Sequence, residues 1–341
     1  MLKFTEKVKG HDLIQNQICK ALEQNRLPHA LLFSGPSGVG KKYFAWELAK
    51  SLLCEKTSSL SKEGESLSFL ERSQRNYKAC GFCLSCRSIE KKQSEHVLEI
   101  THESLQIRLQ DLQSVLSFLS LQSFAKAKIV LIDSAEKLNS YAFNFLLKII
   151  EEPPPKSFFF LISSQSSRLS LTLRSRVQNI LFSPLSEELL TKLSSPDTEK
   201  WMIKSSQGQM DLLQEFKEKK ELRNLAFDLL LECFNKKSLD IDFKVIKDRK
   251  TALDILRFWR FFLRDLRLLG LSRKDKLIHR DQIERMRKLA DFSKEHLDLW
   301  IKNTLEMEYE LQSNFDRTLC FENFAINLKK SLQFSIAPLE T

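Results

Sequence analysis

A glycine-rich segment ending in lysine is the first part of the chain whose residue spacing points to chemistry. It has the form Gly-x4-Gly-Lys, in which glycines let backbone N–H groups turn inward around phosphate oxygens. An apolar run over residues 30–34 precedes it, and residues 43–53 have the character of a helix whose N-terminus adds partial positive charge. Strand, turn and helix together predict a phosphate-binding loop. Its candidate phosphate-binding residues are Gly35, Gly38, Gly40 and Lys41.

Two positions that a hydrolysing site needs carry other residue types. Lys42 stands where Ser or Thr would coordinate Mg²⁺, and a charged ammonium group cannot coordinate a metal. An expected strand over residues 128–132 leads into Asp133, where an aspartate that supports the metal belongs. Ser134 then stands where hydrolysing sites carry the glutamate that activates water, and Glu136 is expected to point elsewhere. Lys42 and Asp133 complete the candidate nucleotide site, which we expect to bind ATP or ADP weakly without turnover.

Clustered cysteines form a second candidate site. The chain has seven cysteines, an odd number, and no secretory apolar segment at its N-terminus, so we expect a reducing cytoplasm and no disulfide framework. Four thiolates suit a structural zinc ion with no open coordination position. An iron–sulfur cluster and an empty, degenerate site are the alternatives. The candidate ligands are Cys54, which ends the helix after the loop, and the triplet Cys80, Cys83 and Cys86, with a Ser-, Lys- and Glu-rich insertion at 55–79 between them.

The order of these motifs resembles that of the AAA+ clamp-loader subunits of bacterial DNA polymerase III, most closely the delta-prime type. Many chains of that type also carry a basic residue after the loop lysine, as Lys42 does here. The resemblance is specific over residues 2–185 and diffuse beyond them. The further matching segments are Gly10-His11, residues 26–36, Phe118–Leu121, Lys128–Asn139, Asn144–Pro154, the expected strand 158–163 and Arg174-Ser175-Arg176-Val177.

An arginine in the last of these segments gains a role through the resemblance. In the family it acts in trans as an arginine finger, which stabilises charge on the γ-phosphate in the nucleotide site of a neighbouring subunit. Arg176 is the matching position and the candidate catalytic residue. Val177 replaces the family's cysteine, and Gln113 replaces an arginine that many relatives carry.

The length of 341 residues suits two or three domains. Together with the resemblance, it predicts an α/β AAA+ (P-loop NTPase-like) domain with a parallel sheet, then a small helical lid domain in which Ser186 caps a helix, and finally an all-α collar domain for oligomerisation. The predicted bounds are 1–164 for the AAA+ domain, 54–86 for the zinc-binding insertion within it, 165–209 for the lid domain and 210–341 for the collar.

Long helices are expected in the last third of the chain, because glycine and proline are almost absent after Gly208. One of these helices carries apolar residues at helical spacing, which gives it a wide apolar face. That face is interpreted either as part of an oligomerising collar or as an ordinary bundle core. Its residues are Ile255, Phe258, Trp259, Phe262, Leu266 and Leu269.

The net positive charge of the chain is compatible with an assembly that faces nucleic acid but does not prove one. The net charge is +10, from 54 Lys and Arg against 44 Asp and Glu. Charged runs mix both signs, and no basic stretch alternates with aromatic residues, so we expect any DNA contact to depend on the whole assembly. No apolar run approaches the length of a membrane span, so no membrane partner is expected.

These observations lead to one functional expectation, one rival and a third possibility. The third, a zinc-bearing nucleic-acid-binding protein outside replication, is disfavoured by the ordered match from Gly10 to Arg176. The resemblance implies a non-hydrolysing delta-prime-type subunit of a cytoplasmic hetero-oligomer with gamma/tau-type ATPase and delta-type subunits, which seats the sliding clamp on primed DNA during replication. The rival is an ATP-hydrolysing gamma/tau-like motor subunit. Ser in place of Lys42 and Glu in place of Ser134 would have favoured the motor.

Overall fold

The computed structural model describes residues 2–57, 77–101, 106–121, 126–234, 241–287, 289 and 292–334. The chain divides into two compact units. The first is Met1–Ser194 together with Gln207–Asp211, and the second is Ser195–Ser206 together with Leu212–Thr341. Most of the insertion between the cysteines, residues 58–76, lies outside the described residues, and its predicted flexibility stays a prediction.

A parallel sheet forms the centre of the first unit. Its first and fourth strands are buried along their whole lengths, as expected for short apolar runs in a sheet that helices cover on both faces. The expected strands at 30–34, 128–132 and 158–163 are confirmed. Among the described residues the strands are β1 (Ala30–Ser34), β2 (Val97–Ile100), β3 (Lys128–Ile132), β4 (Ser157–Ser163) and β5 (Gln178–Leu181), and they lie in the order β2-β3-β4-β1-β5.

Helices cover both faces of this sheet. In the described residues of the first unit the helices are α1 (Asp12–Glu23), α2 (Lys41–Leu53), α3 (Leu84–Glu90), α4 (Leu109–Ser120), α5 (Ser140–Glu151), α6 (Leu171–Arg174) and α7 (Glu187–Leu193). On one face α1 and α2 pack in an apolar cluster with Phe160, and on the other α4 and α5 pack with Phe159. Neighbouring residues of one strand point to opposite faces, so β4 contributes to both cores.

The carboxyl ends of three strands meet at one edge of the sheet. There β1 leads into the glycine-rich loop, β3 into Asp133 and β4 into Ser164. In open α/β sheets, ligands bind at this edge. A parallel sheet in this strand order, with a glycine-rich loop and helix after β1, is the α/β AAA+ architecture expected from the sequence. Ser186 caps α7 through a hydrogen bond from the Leu189 N–H to its hydroxyl, as predicted.

The second unit is helical in its described residues, apart from short turns. Its helices are α8 (Lys200–Ser205), α9 (Met210–Glu218, of which the first two residues belong to the first unit), α10 (Lys220–Phe234), α11 (Arg249–Gly270), α12 (Ile283–Arg287), α13 (Lys294–Gln312) and α14 (Arg317–Phe334). No helix of the described residues is long and apolar enough to cross a membrane.

The wide apolar face lies on α11 and is buried within the second unit. Five of its six residues are fully buried, and only Leu269 at the helix end is partly exposed. Trp259 also donates a hydrogen bond from Nε1 to the carbonyl of Ala226, at 2.7 Å. The face therefore builds the core of this unit. The division into lid and collar domains stays a prediction.

Candidate functional site

A cavity of about 840 Å³ lies within the first unit, and most of the predicted nucleotide-binding residues line it. Gly38, Gly40, Lys41, Lys42 and Asp133 line it, together with Ser134. Gly35, the first residue of the loop, does not line the cavity and packs against Phe182. The cavity also extends along α2 past two aromatic side chains, Tyr43 and Trp46, that the sequence motif does not include.

Two loop positions require glycine. Gly35 has φ +136°, and a Cβ there would lie 2.3 Å from the carbonyl oxygen of Phe182. Gly38 has φ +67°, and a Cβ there would lie 2.8 Å from the backbone nitrogen of Asp211. A side chain at either place would have both the wrong backbone conformation and a backbone clash. The tight loop therefore depends on its close packing against Phe182 and Asp211 as well as on its own turn.

Lys41 is turned onto its own loop. Its ammonium donates to the carbonyl oxygen of Gly35 at 2.7 Å, and to that of Pro36. Only 6% of the residue is exposed, and this burial lowers the pKa of Lys41, while nearby carboxylates led by Glu136 act in the opposite direction. A phosphate ligand would have to draw this ammonium away from the loop carbonyls.

Lys42 holds two carboxylates together. Its Nζ lies 2.6 Å from Oε1 of Glu99 and 3.0 Å from Oδ2 of Asp133, so two adjacent strands converge on one ammonium group. Desolvation, the largest single influence, acts to lower the pKa of Lys42, but the hydrogen bonds that its ammonium donates to the Glu99 and Asp133 carboxylates raise it. Sequence reasoning missed Glu99, which no motif marks. These residues do not fit a magnesium ion, because an ammonium group has no lone pair to offer a metal.

Glu136 lies at the cavity, so the expectation that it points elsewhere was wrong. Ser134 takes a left-handed conformation with φ +55°, and a short 3-10 turn over Ala135–Lys137 follows. This turn places Glu136 at the cavity. One carboxylate oxygen accepts the Ser164 hydroxyl at 2.7 Å. Desolvation acts to raise the pKa of Glu136, but the hydrogen bond from Ser164 and neighbouring hydrogen bonds lower it. The other oxygen, Oε2, is buried and has no hydrogen-bond partner among the described residues.

A segment from beyond α7 closes against the glycine-rich loop. The Met210 N–H donates to the carbonyl of Gly38 at 2.8 Å, and the Ser37 hydroxyl donates to the side-chain oxygen of Gln209 at 3.2 Å. This places the Asp211 carboxyl carbon 2.9 Å from where a Gly38 Cβ would be. No sequence signal marked Asp211, because its approach depends on the tertiary fold. Its carboxylate brings a further negative charge to a loop built for phosphate.

All four predicted cysteines come together. Their sulfur atoms lie within 4.8 Å of one another, with Cys80 and Cys86 at 3.9 Å and Cys54 and Cys83 at 4.0 Å. A tetrahedron of sulfurs about 2.3 Å from a zinc ion has edges of about 3.8 Å. Cys54 ends α2 and Cys83 caps α3, so two helix ends fix the spacing. The cluster can hold a metal ion.

Local hydrogen bonds favour thiolates in this cluster. Backbone N–H groups reach a sulfur at 3.4 Å in three places: from Cys80 to Cys54, from Cys83 to Cys80 and from Cys86 to Cys83. Desolvation acts to raise the pKa of Cys80, but N–H groups of Phe82 and Cys83 lower it to about 6. Burial raises the pKa of Cys86. A cation at the centre would be needed to keep all four sulfurs ionised together.

Arg176 lies away from the cavity, on the segment between α6 and β5. Its Nε lies 2.5 Å from Oε1 of Glu151 at the end of α5, and its Nη1 donates to the carbonyl of Thr172 at 3.1 Å. The side chain is 39% exposed, so the guanidinium is accessible from solvent. The structure does not bring Arg176 together with the predicted nucleotide-binding residues of its own chain.

Comparison with known proteins gives a consistent result. A family model described as DNA polymerase III, delta subunit, matches residues 10–186. The chain is 25% identical over 337 residues to DNA polymerase III subunit delta' of Bacillus subtilis, covering 93% of this chain and 95% of that one. It is 31% identical over 170 residues to subunit tau of Escherichia coli, covering 50% of this chain and 24% of tau. The chain thus spans nearly all of the first relative but about a quarter of the second.

One solved structure matches most of the chain at a low level of similarity. It is a DNA polymerase III gamma subunit-related protein from Thermotoga maritima, 14% identical, with a TM-score of 0.43. The match covers 92% of this chain and 98% of that one.

Proposed function

Because the chain belongs to the DNA polymerase III delta-subunit family, we propose that it is a non-hydrolysing, delta-prime-type subunit of a bacterial replicative clamp loader. In this role it joins gamma/tau-type ATPase subunits and a delta-type subunit in a cytoplasmic hetero-oligomer. The assembly places the sliding clamp on primed DNA during replication. The match to the delta' relative extends over 337 residues, whereas the match to tau extends over 170, and this difference supports the delta-prime type.

The contact of Lys42 with Glu99 and Asp133 is the observation that carries the proposal. A hydrolysing site needs Mg²⁺ to neutralise charge on the transferred phosphoryl group. Here an ammonium group already contacts both carboxylates and offsets one of their two negative charges, and Ser134 offers no base where the water-activating glutamate belongs. ATP or ADP that enters the cavity is therefore bound weakly and is not turned over.

Arg176 supplies the contribution of this chain to catalysis. Its exposure, and its distance from its own cavity, suit a residue that acts on a neighbour. There it stabilises negative charge on the γ-phosphate of ATP in the site of a gamma/tau-type subunit. The chain thus serves as a stationary member that completes another subunit's site.

The cysteine cluster holds a structural zinc ion through Cys54, Cys80, Cys83 and Cys86. Sulfur spacings of 3.9 and 4.0 Å, together with four cysteine ligands, suit zinc. With all four positions taken by protein, the metal offers no site for chemistry. It ties the end of α2 to the start of α3 and so supports the helix that begins at the phosphate loop.

Reconstitution tests this function. The purified chain is mixed with the gamma/tau-type and delta-type subunits, and transfer of a fluorescent sliding clamp to primed DNA is followed with ATP present. We expect loading only when the chain is included, and assembly at a defined subunit ratio. Equal loading without the chain would contradict the proposal.

The rival function, a gamma/tau-like motor, has one observation in its favour. Glu136 lies at the cavity with an ionised carboxylate and a buried oxygen that lacks a hydrogen-bond partner among the described residues. Such a group could orient an attacking water, as a catalytic glutamate does. ATP turnover by the chain alone, abolished in Glu136→Gln, would support the motor.

A further inference from the structure

The two carboxylates beside the phosphate loop form half of a cation site. Glu99 lies on β2 and Asp133 follows β3, and these strands pair in parallel, so both side chains leave the same edge of the sheet. Carboxylate oxygens in such a pair are ligands that Mg²⁺ and Mn²⁺ prefer. The site is partly screened from water, since Glu99 is 16% and Asp133 28% exposed at the side chain.

The cation that these carboxylates meet belongs to the chain itself. Lys42 occupies the second position of α2, so its ammonium is tethered to the helix that starts at the loop. It contacts one oxygen of each acid, at 2.6 and 3.0 Å. An ion at the same place would have to displace this ammonium and would meet its charge at close range.

The remaining charges of the site are of both signs. Lys41 is held by loop carbonyls, and the carboxylates of Glu136 and Asp211 both line the cavity. Two ammonium groups thus face four carboxylates, and the Lys42 ammonium contacts the pair from the two adjacent strands. A phosphate ligand would meet the other two carboxylates in addition to that pair.

We propose that Lys42 permanently replaces the divalent cation of this site, so that the cavity excludes Mg²⁺ and takes any phosphate-bearing ligand in a metal-free form. This inference deepens the proposed function and rests on it, because it identifies why the site cannot turn over ATP. It also sets the class of ligand: a nucleotide or other phosphate compound whose binding does not change when divalent ions are removed.

Mn²⁺ binding followed by electron paramagnetic resonance tests the inference on the full-length chain as purified. We expect no Mn²⁺ to bind at Asp133 of the wild-type chain, so Asp133→Asn should leave the amount of bound Mn²⁺ unchanged. Lys42→Ser should gain about one Mn²⁺ per chain, since it frees both carboxylates and adds a hydroxyl ligand. The double variant Lys42→Ser with Asp133→Asn should lose it again.

Two further variants keep the test decisive. Lys42→Arg retains the cation and should bind no additional Mn²⁺. Lys42→Met removes the charge with little change in side-chain length, so it should also gain Mn²⁺ and serves if Lys42→Ser folds poorly. A wild-type chain that binds Mn²⁺ through Asp133 would overturn the inference, and so would the absence of any gain in both neutral variants.

The outcomes separate this inference from the proposed function. Mn²⁺ bound at Asp133 of the wild-type chain, without ATP turnover, would contradict the inference alone. ATP turnover by a wild-type chain that binds no such Mn²⁺ would contradict the non-hydrolysing role alone.

Discussion

Arg176 and Glu151 form an exposed ion pair in which Nε of the arginine lies 2.5 Å from Oε1 of the glutamate. Their side chains are 39% and 45% exposed, so solvent screens the attraction, and such a pair contributes about 0–1 kcal/mol to stability. A stronger anion, such as the γ-phosphate of a nucleotide on a neighbouring subunit, can therefore draw the guanidinium away. In the proposed role, Glu151 would hold the arginine near its working position while leaving it able to move.

Removal of the Arg176 guanidinium should slow the neighbour's ATPase. In the reconstituted assembly we expect Arg176→Ala to lower kcat at the site that receives it by on the order of 10³, because arginine fingers contribute about that much. Assembly should stay intact, since the side chain is exposed. Steady-state hydrolysis and size-exclusion chromatography measure the two effects.

The matched control is Arg174→Ala, which removes an exposed arginine two residues away. It should leave hydrolysis by the assembly within about twofold of wild type, as expected for an exposed surface change. Equal losses in the two variants, or unchanged turnover in Arg176→Ala, would show that Arg176 is not the finger.

The effect of Glu151→Gln on ATP turnover by the assembly should depend on the presence of Arg176. We expect the unfolding free energy to change by less than about 1 kcal/mol, because the pair is exposed. Turnover by the assembly should change in the wild-type background and not in the Arg176→Ala background, which a double-mutant cycle measures. An equal effect of Glu151→Gln in both backgrounds would contradict the connection.

Loss of one cysteine of the cluster should destabilise the first unit. Cys83→Ser leaves three sulfur ligands, and we expect the zinc content to fall well below one per chain. Metal binding contributes to folding, and a loss of about 3 kcal/mol would lower the thermal midpoint of a domain of this size by roughly 6–12 °C. Elemental analysis and calorimetry measure both.

Cys19→Ala provides the comparison, because Cys19 is also buried in the first unit but lies outside the cluster. It should keep the full metal content whatever its effect on the midpoint. A wild-type chain that contains no zinc, with an unchanged midpoint in Cys83→Ser, would remove the zinc assignment.

The stability of the helical unit should fall in mild acid because of His279. This residue is fully buried, and desolvation lowers its pKa below the ordinary 6.5 in spite of the Asp265 carboxylate at 3.3 Å. Above pH 6.5 the folded and unfolded states both hold it neutral. As the pH falls below 6.5 the unfolded state gains a proton first, so the unfolding free energy drops by up to about 1.4 kcal/mol per pH unit.

His279→Phe should flatten this dependence between pH 7 and 5, since an uncharged ring would pack against Trp201 and Phe262. Asp265 would keep its backbone hydrogen bonds from residues 278 and 279. His296→Gln, which replaces a half-buried histidine at the start of α13, is the matched histidine change. Chemical denaturation at several pH values measures the slopes, and equal slopes in wild type and His279→Phe would contradict the prediction.

Local spacing allowed much of the site to be predicted from the sequence. The loop glycines and the four cysteines follow fixed patterns, and the structure brings Gly38 and Gly40 to one cavity and the cysteines to one cluster. The strand β1, which leads into the loop, is a short apolar run, as burial on both faces of the sheet requires.

What the sequence could not supply are contacts across long separations. Glu99 reaches Lys42 through the pairing of β2 with β3, and Asp211 reaches Gly38 from beyond α7. The expectation for Glu136 failed because the chain makes a 3-10 turn after Ser134, and simple spacing along an extended chain does not anticipate that turn. The apolar face of α11 could not be assigned between core and interface, since both use the same residue types.

Steady-state ATP hydrolysis by the purified chain, alone and with primed DNA, tests the central claim most directly. The control is Lys41→Ala, which removes the loop lysine. The stationary-subunit account predicts that wild-type and control rates are indistinguishable under both conditions. A wild-type rate clearly above the control would mean that Lys42 and Ser134 do not disable the site, and the chain would then act as a motor.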